Sequence, residues 1–177
     1  MGIRNKYEAE LAQVFDKLVT MCRETERAID RSITALVMRD AALSRAVIEE
    51  DKNIDRLEHE IEQDCLKILL MEHPVASDFR DVSAALKMIT DLERIADQAA
   101  DISELALGFG NEKYIKEPEH IAEMAKLATA MVKDSVESYI NRDVELARSL
   151  DGRDDRVDEL FETVKNDLVA LIRLDGA

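Results

Sequence analysis

Apolar side chains recur every three or four residues along long uninterrupted stretches of this chain, and this spacing most constrains its fold. In residues 4–38 the stripe includes Tyr7, Leu11, Val14 and Leu18. The spacing places these side chains on one face of an α-helix. A stripe sustained over so many turns is typical of a helix packed in a bundle.

The same pattern continues through most of the sequence. Further helices are predicted at residues 41–71, 76–107, 118–140 and 143–173. Only five Gly and two Pro interrupt the chain, and aromatic residues make up 4% of it, so the composition of β-strands is absent. We therefore predict an all-α fold.

Polar and helix-breaking residues separate the predicted helices. Asp40 has the character of an N-cap, which accepts hydrogen bonds from the first N–H groups of the next helix. His73 precedes Pro74, and a residue before proline is disfavoured in helical geometry. The sequence "GFGN", residues 108–111, predicts the end of the third helix.

The chain repeats itself at a shift of 103 residues without a gap. The shift aligns Arg39-Asp40 with Arg142-Asp143, Leu43 with Leu146, Asp51 with Asp154, Asp55 with Asp158, and Leu57 with Leu160. Helices four and five thus copy helices one and two, which predicts two three-helix bundles, residues 1–110 and 111–177. The third helix would recur from about residue 178, so we expect the second bundle to lack its last helix in this chain. Its uncovered apolar faces then predict a homo-oligomer, by self-association or helix exchange, unless the full-length protein is longer than this chain.

Charge and hydropathy exclude several classes of protein. The net charge of −15 argues against nucleic-acid binding and against an anionic lipid surface. No apolar run approaches the roughly 18 residues of a membrane span, so no direct membrane insertion is expected. Cys22 and Cys65 lie in apolar helical stretches, as reduced core cysteines of a cytoplasmic protein do.

A line of carboxylates follows the second predicted helix. Asp51, Asp55, Glu58 and Glu62 are spaced four, three and four residues apart, which stacks them along one line of the helix. The line borders the buried stripe instead of lying opposite to it. Acidic pairs at this spacing are common on solvated faces, so a plain surface remains the alternative.

The third predicted helix carries a matching line. Glu93, Asp97 and Asp101 step by four, and antiparallel packing of consecutive helices brings the two lines face to face. Half-buried carboxylates must be paired, protonated or bound to a cation. A site of carboxylates alone suits Mg²⁺, Mn²⁺, Ca²⁺ or iron.

Two other functions stay open on the residues alone. A ferritin-like di-metal protein needs two Glu-x-x-His motifs, and this chain has one, Glu117 to His120. A metal-free helical scaffold would pair Glu93 with a nearby arginine such as Arg56 or Arg94. No catalytic constellation or nucleotide-binding motif is present, which predicts a protein that is not an enzyme.

Three segments in this order resemble the PhoU family of phosphate-uptake regulators. They are "DKNIDRLEHEIEQDCLKILL", "HPVASDFRDVSAALKMITDLERIADQAADI" and "NRDVELARSLDGRDDRVDELFETV", and together they span most of the chain. The resemblance implies two repeated three-helix bundles, in agreement with the internal repeat. It departs from the family at the missing sixth helix.

The resemblance also implies metal clusters. Asp51 and Asp55 would bind together with Glu93 and Asp97, while Asp154 and Asp158 would form half of a second site. Iron or zinc is the metal expected first, with manganese or magnesium as alternatives.

The role implied by the resemblance is regulatory. Family members restrain the phosphate-starvation response through the ATPase subunit of the phosphate transporter and a membrane sensor histidine kinase. We therefore expect a metal-binding adaptor of phosphate uptake.

Overall fold

The computed structural model of the protein describes residues 3–72, 74, 76–110 and 113–175. Its helices are, in chain order, α1 (Ile3–Met38), α2 (Ala41–Met71), α3 (Ala76–Phe109), α4 (Glu119–Asn141), α5 (Val144–Ser149) and α6 (Arg153–Asp175). These ranges contain no strand, and the predicted all-α class is confirmed. The α2 helix ends just before Pro74, while His73 and Asn111, which belong to two predicted helix ends, lie outside the described residues.

The first three helices pack against one another around a shared apolar core. The α1 and α2 helices run antiparallel, since Lys17 pairs with Asp64 and Arg31 pairs with Glu50 along their length. The most deeply buried side chains of this core are Val14, Leu18, Met21, Ile61, Cys65, Val82 and Ile89. Val14 and Leu18 are positions of the apolar stripe predicted in residues 4–38, so burial of that stripe helps to hold the bundle together.

The internal repeat is visible in the turns that follow α1 and α4. Arg39 and Arg142 both adopt the left-handed conformation, with φ of 56° and 54°. Asp40 and Asp143 follow with nearly identical backbone angles, and each side chain accepts a hydrogen bond from a backbone N–H of the next helix. Asp40 is thus an N-cap, as the sequence predicts, and its counterpart 103 residues later does the same.

The α4 helix joins the second half of the chain to the first. Val136 is buried in the core of the first three helices, and the rings of Phe15 and Tyr139 meet edge to face at 5.5 Å. The Tyr139 hydroxyl also donates a hydrogen bond to the carbonyl oxygen of Asp81 on α3. On its other side α4 packs against α5 and α6. A division into separate domains at residue 110 stays a prediction.

The prediction of a single fifth helix over residues 143–173 is wrong at one point. The helix is interrupted between Ser149 and Arg153, and Gly152 adopts a φ of +87° that a side chain would strain. The equivalent position of the first repeat is Glu49, a good helix former, and α2 runs through it unbroken. A glycine inside an otherwise periodic stretch therefore produced the break.

The described helices were also compared with what a bilayer requires. None of them combines sufficient length with sufficient apolar character to cross a membrane.

Candidate metal centre

Antiparallel packing of α2 and α3 brings the two predicted acid lines together. Asp51, Asp55 and Asp97 each offer one carboxylate oxygen, and these three atoms all lie within 4.8 Å of one another. Two of these carboxylates come from one helix, four residues apart, and the third comes from the facing helix. The acid lines of α2 and α3 therefore meet at these three residues.

Apolar neighbours in the sequence fix the positions of these acids. Ile54 lies directly before Asp55 and is 3% exposed, while Ala96 lies directly before Asp97 and is 1% exposed. Both belong to the core, and the small side chain of Ala96 lets the two helices approach closely. The carboxylates are thus held at the rim of the core, where Asp51 is half-buried and Asp55 and Asp97 are exposed.

Burial and crowding of negative charge change the acidity of Asp51. Partial burial first, and then the neighbouring charges of Asp55 and Asp97, together raise the pKa of Asp51 from 3.8 to about 6. In its protonated form Asp51 hydrogen bonds to Asp97, which also favours retention of the proton. Asp51 therefore keeps a substantial fraction of its proton up to about pH 6.

Glu93 lies beside this group but is not part of it. Its pKa is raised by partial burial first, and then by the charges of Asp97, Glu58 and Asp55. Glu93 is thus inside the same negative field, one turn before Asp97 on α3. The predicted fourth ligand stays a prediction.

The cluster has no neutralising Lys or Arg among the residues that the structure describes. In the described part of the chain, no Lys or Arg forms an ion pair with Asp51, Asp55, Glu93 or Asp97. Of the two arginines considered in the metal-free alternative, Arg56 pairs with Glu60 on its own helix at 3.3 Å, and Arg94 pairs with Asp91 on α3 at 3.5 Å. Unneutralised carboxylates that converge from two helices are a donor set that fits a hard divalent or trivalent cation.

Two further acids, Glu58 and Asp101, lie close enough to act on the cluster but were not among the predicted ligands. Glu58 acts on the pKa of Glu93 and accepts a hydrogen bond from the Thr90 hydroxyl at 3.1 Å, and Asp101 acts on the pKa of Asp51. Both were visible in the sequence as members of the two acid lines. Their spacing gave the signal, but spacing alone does not tell a ligand from a neighbour.

Asp154 and Asp158, the predicted half of a second site, lie on α6 and are both exposed. Asp154 accepts a hydrogen bond from the backbone N–H of Gly152 at 3.2 Å. Among the residues that the structure describes, no other acids join them to form a second group of three. In the first repeat the third acid comes from α3, so a site at these two positions stays a prediction.

The second half of the chain also contains the single Glu-x-x-His motif. Glu117 is exposed in the segment before α4, and His120 is half-buried in the first turn of that helix. Neither residue belongs to the carboxylate cluster, so the motif adds nothing to the site.

The PhoU domain family matches two segments of this chain, residues 18–106 and 121–176, which together exceed half of its length. The chain belongs to the PhoU family. The two matched segments begin 103 residues apart, the same shift that relates the two repeats. PhoU-type repeats thus account for both halves of the fold.

PhoU proteins of several bacteria are similar over nearly the whole chain. A phosphate-specific transport system accessory protein PhoU homolog of Aquifex aeolicus is 33% identical over 166 residues, which are 94% of this chain and 75% of that protein. The phosphate-specific transport system accessory protein PhoU of Escherichia coli is 28% identical over 174 residues, 98% of this chain and 72% of its own.

Solved PhoU structures share the fold. The crystal structure of PhoU from Pseudomonas aeruginosa superposes with a TM-score of 0.91 at 27% identity, and covers 96% of this chain and 82% of its own. The regulatory protein PhoU from Streptococcus pneumoniae gives a TM-score of 0.87 at 22% identity over 94% of this chain and 79% of its own, which shows the fold alone. These relatives place the chain among proteins of phosphate-uptake regulation.

Proposed function

We propose that this PhoU-family protein is a metal-binding regulatory adaptor of phosphate uptake and phosphate-starvation signalling. The observation that supports metal binding is the convergence of Asp51, Asp55 and Asp97 without a neutralising Lys or Arg in the described part of the chain. Three carboxylates this close repel one another, and a bound cation reverses the sign of that interaction.

Asp51 and Asp55 would hold the metal from α2, and Asp97 would hold it from α3, with Glu93 as the nearest additional ligand. Iron or zinc is the metal that we propose first, with manganese or magnesium as alternatives. The bound metal supplies positive charge that links the two helices. Because binding displaces the proton that Asp51 retains near pH 6, metal affinity should rise as the pH increases from 5 to 7.

The proposed partners are the ATPase subunit of the phosphate transporter and the phosphate-sensing histidine kinase. Support comes from family membership and from relatives named as accessory proteins of a phosphate-specific transport system. We propose a cytoplasmic location for the complex. The protein acts in it by contact and not by catalysis.

Elemental analysis of the purified protein tests the metal. The test compares the wild type with the double variant Asp51→Ala, Glu93→Ala after incubation with iron, zinc, manganese or magnesium and removal of the unbound ion. The matched control is Glu49→Ala, Asp91→Ala, which removes one exposed carboxylate from each of the same two helices. Glu49 pairs with Lys52 and Asp91 pairs with Arg94, so both lie in ion pairs outside the cluster.

We expect metal in the wild type and in the control, and at least a tenfold loss of affinity in the double variant. A wild type that holds none of the four metals would contradict the metal-binding proposal. The regulatory role is tested separately, by expression of phosphate-starvation genes in cells that carry each variant. Constitutive expression of these genes in cells without the protein would support this role, while unchanged expression would contradict it.

A further inference from the structure

The seam between α2 and α3 continues from the carboxylate cluster toward the other end of the two helices. Two contacts fix its register, since Asp51 lies beside Asp97 and the Thr90 hydroxyl donates a hydrogen bond to Glu58. Asp51 is seven residues before Glu58, and Asp97 is seven residues after Thr90, about two helical turns in each case. The two helices therefore stay in the same antiparallel register along this seam.

The same register places apolar side chains at the far end of the seam. Leu69 is eleven residues after Glu58, and Phe79 is eleven residues before Thr90, so both stand about three turns further along the same sides of their helices. From Asp97 to Phe79 the seam is about 27 Å long, at 1.5 Å per helical residue. We call this surface the α2–α3 face.

Three large apolar side chains at this end of the face are exposed. Phe79 is 52% exposed, and Leu66 and Leu70, one turn apart on α2, are 40% and 72% exposed. At about 180 Å² for a fully exposed large side chain, they present roughly 300 Å² of apolar surface. Leu69 and Leu86, which pack partly buried against the core, continue the apolar surface into the seam. Apolar patches of this size often mark interaction sites.

The remainder of the α2–α3 face is acidic. Glu62, Glu58 and Glu93 lie between the apolar end and the carboxylate cluster. Over the ranges that the structure describes, none of these three glutamates forms an ion pair with a Lys or Arg, and Glu62 lies 3.6 Å from the ring of His59. The face thus joins an exposed apolar end to an acidic end whose charge is not balanced by basic side chains.

The second half of the chain packs on another side of α3. The contact with α4 is made at Asp81, whose carbonyl oxygen accepts a hydrogen bond from Tyr139 and whose carboxylate pairs with Arg142. Asp81 and Thr90 are nine residues apart, or two and a half turns, so they lie on opposite sides of α3. The packing of α4 therefore leaves the α2–α3 face open to solvent.

We propose that the α2–α3 face binds a basic amphipathic helix of a partner protein. The length of the face matches a helix of about 18 residues, and a helix packs well along the seam between two others. The apolar residues of the partner helix cover Leu66, Leu70 and Phe79. Its Lys or Arg residues lie against Glu58 and Glu62.

Charge complementarity selects this occupant over others. The acids of the face repel nucleic acid and anionic lipid, and the net charge of −15 opposes a second copy of this chain. A helix that is apolar at one end and basic at the other matches both ends of the face. A purely apolar helix would leave the acidic end without a partner.

This inference rests on the proposed adaptor role, which requires a protein partner, and adds the surface and the chemistry of the partner's segment. Glu58 and Glu62 stand outside the three converging carboxylates. Binding is therefore measured in the presence of a chelator, so that a failure of the metal site and a failure of this surface are separate results. The expression test of the regulatory role is independent of both.

Isothermal titration calorimetry with two synthetic peptides tests the surface. Each peptide has about 18 residues of Ala, Gln, Leu and Lys. In the first, one helical stripe carries Leu in one half and Lys in the other, and in the second the same residues are dispersed around the helix. We expect the striped peptide to bind the wild type with a dissociation constant below about 100 μM, and the dispersed peptide to bind at least about tenfold more weakly.

A pair of variants tests the apolar end. Leu66→Gln with Phe79→Gln should raise the dissociation constant of the striped peptide at least about tenfold, because both side chains lose their apolar contact. The matched control is Met38→Gln with Val144→Gln, which changes two apolar side chains that are 72% and 58% exposed outside the face. The control should bind like the wild type.

A second pair tests the acidic end. Glu58→Gln with Glu62→Gln keeps the shape of both side chains and should weaken binding at low salt about fivefold. The control Glu49→Gln with Asp91→Asn removes the same charge from the same two helices outside the face, and it should change the affinity less than about twofold. An equal loss in both would show attraction to net charge alone and would overturn the proposal.

Fluorescence provides a reading in proteins with both ends of the face intact. The chain contains no Trp, so Phe79→Trp introduces a single reporter on the face and Val144→Trp a single reporter outside it. Only the first should shift its emission to shorter wavelength when the striped peptide is added. A wild type that does not bind this peptide, or that binds both peptides equally well, would overturn the proposal.

Discussion

Arg153 on α6 forms an ion pair with Asp134 on α4, and the equivalent positions of the first repeat form the same pair with the charges exchanged. There the cation is Arg31 on α1 and the anion is Glu50 on α2, each 103 residues earlier. The two repeats have thus kept one contact between their first and second helices while reversing its polarity. Pairing between helices of different repeats would place like charges together, which disfavours the wrong partners.

This relationship predicts the effect of charge substitutions. Asp134→Arg should destabilise the protein by leaving two arginines face to face, and Asp134→Arg with Arg153→Glu should recover that loss. Both side chains are partly exposed, so we expect a coupling energy of about 0.2–1 kcal/mol. A double-mutant cycle measured by urea unfolding at low salt gives this value. Strictly additive single changes would show that the pair does not contribute.

The acidity of Asp51 predicts a pH-dependent stability in the metal-free protein. Its pKa of about 6 in the folded state lies above its ordinary value of 3.8, so the protonated form favours folding. This contribution is complete below pH 3.8 and is lost as the pH rises through 6. In the presence of a chelator, Asp51→Asn should therefore match the wild type near pH 4 and exceed its stability at pH 7 by about 0.5–1 kcal/mol.

Urea unfolding at the two pH values, with Asp91→Asn as the control, measures this difference. The control removes an exposed carboxylate of α3 that pairs with Arg94, and it should show no such gain at pH 7. An Asp51→Asn variant that is less stable than the metal-free wild type at pH 7 would contradict the crowding of charge that we describe. Added metal should reverse the order, because only the wild type retains the ligand.

The Tyr139 hydroxyl predicts a smaller and purely structural effect. It donates a hydrogen bond to the Asp81 carbonyl oxygen, while its ring packs on Phe15, and burial raises the pKa of the phenol. Tyr139→Phe keeps the ring contact and removes the donor, so we expect a loss of about 1 kcal/mol in the free energy of unfolding. Unfolding by urea should show this loss without a change in metal content, and an effect below about 0.3 kcal/mol would count against the bond.

Alanine substitutions at two glycines are expected to change the stability of the protein in opposite directions. Gly152→Ala should destabilise the protein by about 1 kcal/mol, because φ is +87° at this position even though the nearest atom to an added Cβ is 3.8 Å away. Gly108→Ala should stabilise it by up to about 1 kcal/mol, since Gly108 is helical and nothing lies within 4 Å of an added Cβ. Thermal unfolding of both variants checks the pair, and a shift in the same direction for both would contradict this assignment of the backbone.

Helix positions were predictable where one local rule decided them. Asp40 marks a boundary because its carboxylate caps the next helix, and Asp143 repeats that chemistry in the same geometry. The interruption at Gly152 was not predicted, because the apolar spacing continues across it. A single glycine costs only about 1 kcal/mol in a helix, so its presence does not by itself announce a break.

The carboxylate cluster was predictable in outline and not in detail. Spacing of four placed Asp51 beside Asp55, and antiparallel packing brought Asp97 to them. Which acid of α3 approaches most closely depends on how core side chains such as Ile54 and Ala96 set the separation of the helices, and this is not encoded in spacing. Glu93 therefore remains beside the group, while Asp101, a member of the predicted acid line that was not among the predicted ligands, acts on the pKa of Asp51.

The contact of α4 with α1 bears on the order in which the two repeats fold during synthesis. Val136 and Tyr139 pack on the core of the first three helices, whereas Leu160 is the one large side chain of α6 that is buried within the described residues. The amino-terminal half leaves the ribosome first and can close its core before α4 is complete. We therefore expect the second repeat to pack on a surface that the first repeat already presents.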